Sequence, residues 1–289
     1  MRYFKYLEPR TLEDACEHLD IHGEAKILAG GLSLINLVKN DLITPKYLID
    51  LKTVSGLTNI EHTIDGGAKI GALVTDQDVI ESPIICSKYP ILVEAGRRIA
   101  SIAIRNHGTI GGNVCHADPS ADFPPALIVL DARLKVVSSK GQKIIPIEEF
   151  FVDYLESSLE PSEILAEIEV PAPLPNTGWS FIELNKTYNS AAVVLVAAII
   201  SLDSSGICRA ARLALGSSNL TPIRVISASD ILTDQEVTPN LIKKVALEAQ
   251  RVCNPISNVF GSADYKKEMV GILTTRALNE ALEKAKAMV

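Results

Sequence analysis

The sequence has few aromatic residues, no long apolar run and no excess of positive charge, and each shortage excludes a class of protein. Aromatic side chains make up 5% of the 289 residues, although 47% are hydrophobic, so aliphatic side chains must supply the core. The longest apolar run, residues 191–200, is half of the ~20 residues that a membrane-spanning helix needs. Residues 1–6 lack the apolar segment of a signal peptide. We therefore expect a cytoplasmic protein without a membrane span.

Lys and Arg number 28 against 35 Asp and Glu, which gives a formal net charge of −7. The basic residues are dispersed, whereas nucleic acids and anionic membranes bind to clustered basic surfaces. We therefore expect no nucleic-acid partner.

The five cysteines lie far apart, and no pair has the spacing of zinc or iron–sulfur ligands. This spacing predicts no metal site in the chain and favours buried thiols in a reducing compartment. These cysteines are Cys16, Cys86, Cys115, Cys208 and Cys253.

Hydrophobic patterning predicts strands in runs and helices in runs, which is typical of an α+β fold rather than a doubly wound sheet. The first half has predicted strands at 25–28, 47–51 and 163–170, hairpins that turn at 65–67 and 139–141, a helical stretch at 75–99 broken at Pro83, and a polar loop at 105–113. Prolines at 171, 173 and 175 mark the best candidate for a domain boundary. Beyond them we expect strands at 179–185, 192–202 and 207–215, then helices at 222–232, 239–251 and 264–286.

Two pairs of glycines stand out. Gly30-Gly31 follows a predicted strand and precedes a helical pattern, and Gly111-Gly112 lies between Thr109 and Asn113. Paired glycines let the backbone turn tightly and present N–H groups to a phosphate. Each pair alone is also compatible with a plain turn, and neither matches G-x-G-x-x-G or carries the P-loop lysine. Together they favour a dinucleotide.

Three longer motifs extend these glycine pairs: I-L-A-G-G-x-S-L at 27–34, I-R-N-x-G-T-I-G-G-N at 104–113 and D-P-x-A-D-x-P-P-A at 118–126. With these motifs the sequence resembles a known family, the FAD-binding medium subunits of molybdenum hydroxylases. The resemblance extends to 71–75 and to 262–278, and so covers nearly the whole chain. It implies a vanillyl-alcohol-oxidase (PCMH)-type FAD-binding fold at 1–173, made of subdomains 1–55 and 56–173, and a C-terminal α/β domain at 174–289.

The resemblance also implies a set of cofactor contacts. The backbone of two loops would cradle the FAD diphosphate: Leu28, Ala29, Gly30, Gly31, Leu32, Ser33, Leu34, Thr109, Gly111, Gly112 and Asn113. Asp122 would hold a ribose or ribityl hydroxyl, and Ile164, Leu165 and Ala100 would border the pocket. A valine at Gly31 or Gly111 would fill the diphosphate cleft.

The sequence departs from the family pattern at several positions. Leu32 replaces a Thr or His donor, and His116 and Asp118 stand where small side chains are common. Lys186 and Tyr188 occupy a region that usually carries paired arginines. Lys186 would place positive charge near the flavin.

The resemblance implies a heterotrimer that assembles as a dimer. A large molybdopterin-binding subunit would oxidise the substrate, a small [2Fe–2S] subunit would relay electrons, and FAD on this chain would pass them to an external acceptor such as NAD⁺, a quinone or O₂. The alternatives are a self-contained flavin reductase or oxidase of the same fold and a flavin-free assembly subunit.

Overall fold

A computed structural model describes residues 3–187 and 190–289 and confirms the α+β class. The chain begins with a three-stranded parallel sheet in the order β1-β3-β2. Its elements are β1 (Lys5–Leu7), α1 (Leu12–Ile21), β2 (Ala25–Leu28), α2 (Leu34–Lys39) and β3 (Tyr47–Asp50). The Thr11 hydroxyl caps α1 by accepting a hydrogen bond from Asp14 N at 3.1 Å. The apolar face of α1 then packs on the sheet around Ile49, which is fully buried.

Six helices lie in the next part of the chain. They are α3 (Asp76–Glu81), α4 (Pro83–Lys88), α5 (Pro90–Arg98), α6 (Ile102–Arg105), α7 (Ile110–His116) and α8 (Phe123–Val129). The predicted helical stretch at 75–99, with its break before Pro83, is confirmed. The predicted loop at 105–113 is wrong in part because Thr109 acts as an N-cap: its Oγ1 accepts from Gly112 N at 3.1 Å and α7 begins one residue after it.

The second sheet is antiparallel and is built from both predicted hairpins. The strands of this region are β4 (Ile60–His62), β5 (Ala68–Gly71), β6 (Arg133–Ser138), β7 (Gly141–Pro146), β8 (Phe151–Asp153), β9 (Glu156–Ser157) and β10 (Ile164–Val170). Five of them form a sheet in the order β4-β5-β10-β6-β7, and β8 pairs with β9 after a 3₁₀ turn, Ile147–Glu149. The small β8–β9 hairpin is not among the predicted strands.

The C-terminal part is a four-stranded antiparallel sheet followed by helices. Its elements are β11 (Thr177–Asn185), β12 (Ala192–Leu202), β13 (Cys208–Gly216), β14 (Ile223–Arg224), α9 (Ser227–Leu232), α10 (Pro239–Val252) and α11 (Ala263–Lys286). The helix predicted from residue 222 begins only at Ser227, because Ile223 and Arg224 pair with β13 as a short strand. The other predicted strands and helices are confirmed to within two residues.

One apolar core crosses the predicted domain boundary. All eleven residues of β12 are buried, which requires cover on both faces of the sheet. Leu195 and Ala197 belong to the cluster that contains α8, and Val194 and Val196 belong to the cluster that contains α10 and α11. The C-terminal sheet is therefore packed between these two sets of helices, and the division at residue 173 stays a prediction.

The cysteines are all free thiols. Cys16, Cys208 and Cys253 are buried and Cys115 is half-buried. The prediction of buried thiols is wrong for Cys86, which lies exposed on α4.

Candidate functional site

The first glycine loop leaves the end of β2 with a sharp change of direction. Gly31 has φ +79°, a conformation that a residue with a side chain adopts only with strain. No acceptor among the described residues takes a hydrogen bond from the N–H groups of residues 30–34. Ser33 starts α2 without a side-chain cap and is exposed. This loop therefore offers a cluster of backbone and hydroxyl donors at the start of a helix.

The second glycine loop differs, because its backbone donors are already bonded. The N–H groups of residues 110–113 donate to the carbonyls of Val74, Ala72 and Thr109 and to the Thr109 hydroxyl, at 2.9–3.1 Å. The segment after β5 thus holds this loop in place. What the loop still offers is the side chain of Asn113, whose Oδ1 is buried without a hydrogen-bond partner among the described residues.

The two glycine loops touch, although about 75 residues of chain separate them. A β-carbon at Gly30 would lie 1.9 Å from the carbonyl oxygen of His107 and 3.2 Å from Cα of Gly108. A β-carbon at Gly112 would lie 3.8 Å from Cβ of Ala29. Only a glycine at position 30 allows this approach. We call this contact, formed by Gly30 with His107 and Gly108, the loop junction.

Gly111 faces away from the first loop. A β-carbon there would lie 2.6 Å from Cβ of Ala72, so a valine would disrupt the packing of α7 instead of filling a cleft. A valine at Gly31 would meet Leu28 and Ile35, each at 3.2 Å, in a backbone conformation that is already unfavourable. The expectation that a valine would fill the diphosphate cleft is therefore wrong for Gly111, and for Gly31 it stays a prediction.

Asp122 lies at the start of α8 with its Oδ1 buried and without a hydrogen-bond partner among the described residues. Burial raises the pKa of this carboxyl well above its usual range, and the charges of Glu183 and Asp76 raise it further. A buried carboxyl without a partner is suited to bind a hydroxyl, because an unpaired buried polar group is costly. This is the property required for the predicted contact with a ribose or ribityl hydroxyl.

Asp118 is engaged within its own turn. Its Oδ1 accepts from Ser120 N at 2.8 Å and from Ser120 Oγ at 2.7 Å. His116 ends α7 and is half-buried. The Asp118 carboxylate is thus neutralised in part by local donors, which lowers the repulsion expected beside a diphosphate.

The other predicted contacts lie in three different environments. Ile164 and Leu165 are buried in β10, with 2% and 3% of their surfaces exposed, and contribute mainly to the core. Ala100 has φ +34° and is half-buried, and Arg105 Nη1 donates to its carbonyl at 3.4 Å. Lys186 Nζ donates to the carbonyl of Val259 at 3.3 Å. Tyr188 lies outside the described residues.

Asp76 is a candidate that sequence reasoning missed. It is the first residue of α3 and is only 3% exposed, with Oδ1 unpaired among the described residues. A β-carbon at Gly108 would lie 2.2 Å from Asp76 Oδ2, which places the carboxyl directly behind the loop junction. Burial raises the pKa of Asp76 to about 7 although the charge of Arg105 lowers it. An acidic residue in the first turn of a helix is ordinary in sequence, so no signal marked this one.

Comparison with known proteins assigns the chain to a family. A family model described as the FAD binding domain in molybdopterin dehydrogenase matches residues 2–173, and one described as the CO dehydrogenase flavoprotein C-terminal domain matches residues 179–281. The chain belongs to the FAD-binding medium subunits of the molybdenum hydroxylase family. It is thus an oxidoreductase subunit, and the predictions of the family and of FAD as cofactor are confirmed.

Relatives in this family match along nearly their whole length. The 6-hydroxypseudooxynicotine dehydrogenase complex subunit alpha of Paenarthrobacter nicotinovorans is 35% identical, over 98% of this chain and 96% of its own. The carbon monoxide dehydrogenase medium chain of Hydrogenophaga pseudoflava is 32% identical, over 96% of each chain.

Solved structures confirm the fold. The carbon monoxide dehydrogenase of Hydrogenophaga pseudoflava superposes with a TM-score of 0.95 over 98% of each chain, at 32% identity. The quinoline 2-oxidoreductase of Pseudomonas putida 86 superposes with a TM-score of 0.92 over 98% of each chain, at 31% identity. In the described ranges 3–187 and 190–289, no helix is both long enough and apolar enough to cross a membrane.

Proposed function

We propose that this chain holds FAD across the loop junction and connects a [2Fe–2S] subunit with an external electron acceptor. The observation that carries this proposal is the contact between the two glycine loops. Within the described residues, the N–H groups of 30–34 on one side and Asn113 Oδ1 on the other have no hydrogen-bond partner. The donors suit a diphosphate, because backbone N–H groups at a glycine-rich turn bind phosphate oxygens without needing a basic side chain.

The two loops have different roles in this proposal. The first loop, residues 28–34, supplies hydrogen bonds to the diphosphate, since the N–H groups of residues 30–34 are unbonded within the described part of the chain. The second loop, Thr109–Asn113, is braced by the segment after β5, so it acts as a rigid wall and contributes the Asn113 side chain. Rigid support of this kind lowers the entropy cost of binding.

Asp122 binds a hydroxyl of the ribose or ribityl chain through its unpaired Oδ1. Ala100, Ile164 and Leu165 border the pocket, and His116 and Asp118 stand near its polar end. Lys186 supplies positive charge on the side of the C-terminal sheet. FAD, when bound, supplies the electron-transfer chemistry, and the chain binds it, orients it and shields its diphosphate from water.

Partners follow from the family. Relatives are named medium chain or medium subunit, which supports a complex with further subunits. We infer a large molybdopterin-binding subunit, a small [2Fe–2S] subunit and a dimer of heterotrimers in the cytoplasm. The substrate is decided on the large subunit, and NAD⁺, a quinone or O₂ is the final acceptor.

The test uses the purified full chain and the complex isolated from its native host. We expect FAD bound to the full chain in a one-to-one ratio, measured by flavin absorbance after gel filtration, and reduction of that flavin by substrate only when both partner subunits are present. Flavin reduction by a substrate in the chain alone would instead indicate a self-contained reductase or oxidase. A chain that takes up no FAD would indicate an assembly subunit and would refute the proposal.

A further inference from the structure

The feature that the proposed function leaves unexplained is the buried carboxyl of Asp76. Its Oδ1 has no hydrogen-bond partner among the described residues, and its Oδ2 lies where a β-carbon at Gly108 would approach it to 2.2 Å. Asp76 N donates to the Gly108 carbonyl at 2.9 Å, so the same residue fixes the backbone of the second loop. The carboxyl and the first loop contact the same short segment, since Gly30 packs on His107 and Gly108.

Among residues 3–187 and 190–289, no charged group forms an ion pair with Asp76. Arg105 of α6 is directed elsewhere: Nε donates to Gln77 at 3.0 Å and Nη1 to the carbonyl of Ile99 at 2.9 Å. Asp122, at the start of α8, is a carboxyl as well, and the charge of Asp76 raises its pKa. The remaining charged groups of α3, α4 and α5 are exposed or have other partners: Asp78, Glu81, Lys88, Glu94, Arg97 and Arg98.

An ionised carboxylate at this place opposes FAD binding in two ways. It carries the same charge as the diphosphate, in a partly buried region where like charges repel strongly. It also needs water or donors that the packed segment does not supply, so ionisation favours displacement of Gly108 from the loop junction. A protonated carboxyl does not repel the diphosphate, and its burial costs much less than that of a charge.

We propose that Asp76 is a positioning residue for FAD, whose carboxyl holds the loop junction in its binding form only while it is protonated. This inference rests on the proposed function, since it concerns the same diphosphate site. FAD binding and proton binding are then linked, so FAD favours the protonated carboxyl as much as the proton favours FAD binding. Burial places the pKa of Asp76 at about 7, so the linkage falls in the neutral pH range.

The test is calorimetric titration of the full-length apoprotein with FAD at several pH values, in buffers of different ionisation enthalpy. For the wild type we expect the Kd to rise above pH 7 by up to about tenfold per pH unit, with uptake of about one proton per FAD at the alkaline end. For Asp76→Asn, a neutral side chain of the same shape, we expect a flat pH profile, no proton uptake and tighter binding than the wild type at alkaline pH. A variant that merely damaged the fold would not bind more tightly.

Control variants test whether Asp76 is the group that binds the proton taken up with FAD. Asp122→Asn removes the neighbouring carboxyl, and His107→Gln with His116→Gln removes the two histidines of the second loop and α7. We expect both controls to keep the slope of Kd against pH even where the absolute Kd changes. If Asp76→Asn is poorly folded by circular dichroism, Asp76→Ser serves as the second neutral variant.

A wild-type Kd that is independent of pH would overturn the inference, as would a slope that survives in Asp76→Asn or disappears in Asp122→Asn. Absence of FAD binding at every pH would refute the proposed function itself. The two failures are therefore distinguishable.

Discussion

Substitution of Gly30 by alanine tests the loop junction directly. The added β-carbon would lie 1.9 Å from the His107 carbonyl oxygen, whereas real β-carbon contacts under 3.0 Å are essentially absent. The atom that the β-carbon would meet belongs to the backbone, so removing the clash requires the two loops to separate by about 1 Å. Hydrogen bonds are made over only about 0.5 Å of donor–acceptor distance, so such a shift breaks those that span the junction.

The size of the effect follows from the number of bonds lost. A hydrogen bond to a charged group contributes about 1.5–3 kcal/mol. Loss of two such bonds between the first loop and the diphosphate corresponds to at least about 3 kcal/mol, which raises the Kd for FAD by about a hundredfold or more. Calorimetric titration of the folded apoprotein with FAD measures this change directly.

Gly23→Ala is the matched control. Gly23 lies just before β2 in the same part of the chain, and a β-carbon there has no atom within 4 Å. We expect wild-type affinity for this variant. If Gly30→Ala bound FAD within about threefold of the wild type while its urea unfolding curve was unchanged, the loop junction would not be the diphosphate site.

Three further predictions concern stability, each measured by urea unfolding. Burial raises the pKa of Asp76 from 3.8 to about 7, so the protonated carboxyl stabilises the wild-type apoprotein fully below pH 3.8, and this stability is lost as the pH rises through 7. Asp76→Asn should abolish this loss of at most about 4 kcal/mol. A pH dependence of stability that is unchanged in the variant would contradict the prediction. Gly178→Ala should destabilise by about 3 kcal/mol, because a β-carbon there would lie 1.9 Å from a backbone carbonyl oxygen of α11, and wild-type stability would disprove the close packing. Asp131→Asn should cost about 1.5–3 kcal/mol, since Asp131 pairs with Arg212 and Arg224 of the C-terminal sheet at 2.5 Å. Asparagine tolerates the φ of +54° at this position, so wild-type stability of Asp131→Asn beside a destabilised Asp131→Ala would point to packing instead of charge.

Most of the secondary structure could be predicted because its signals are local. The strand at 25–28, the hairpin turn at 65–67 and the long helix at the C-terminus each carry their own periodicity or turn residues. Errors occurred where a longer-range contact decided the outcome. Residues 223–224 form a strand because they pair with the edge of β13, and the local sequence pattern does not predict this pairing.

The candidate site could be predicted in part for the same reason. Paired glycines are a local signal, and their presence pointed to both loops. The local sequence does not tell which glycine forms the contact between the loops: Gly30 contacts the second loop, while Gly111 contacts Ala72 behind it. Asp76 gave no signal at all, since its burial depends on a loop more than 30 residues further along the chain.

The sequence by itself determined the α+β class, the family, the cofactor and the scarcity of clustered thiols and positive charge. Composition, periodicity and short motifs depend on each residue and its near neighbours, so they can be read without coordinates. Only the tertiary structure decided that the two glycine loops meet, that the donors of the second loop are already bonded, and that the buried Oδ1 of Asp76 lies behind them without a partner in the described part of the chain. Burial and contact are properties of segments distant in sequence, and the pKa of Asp76 follows from burial, so neither could be obtained from the pattern of residues alone.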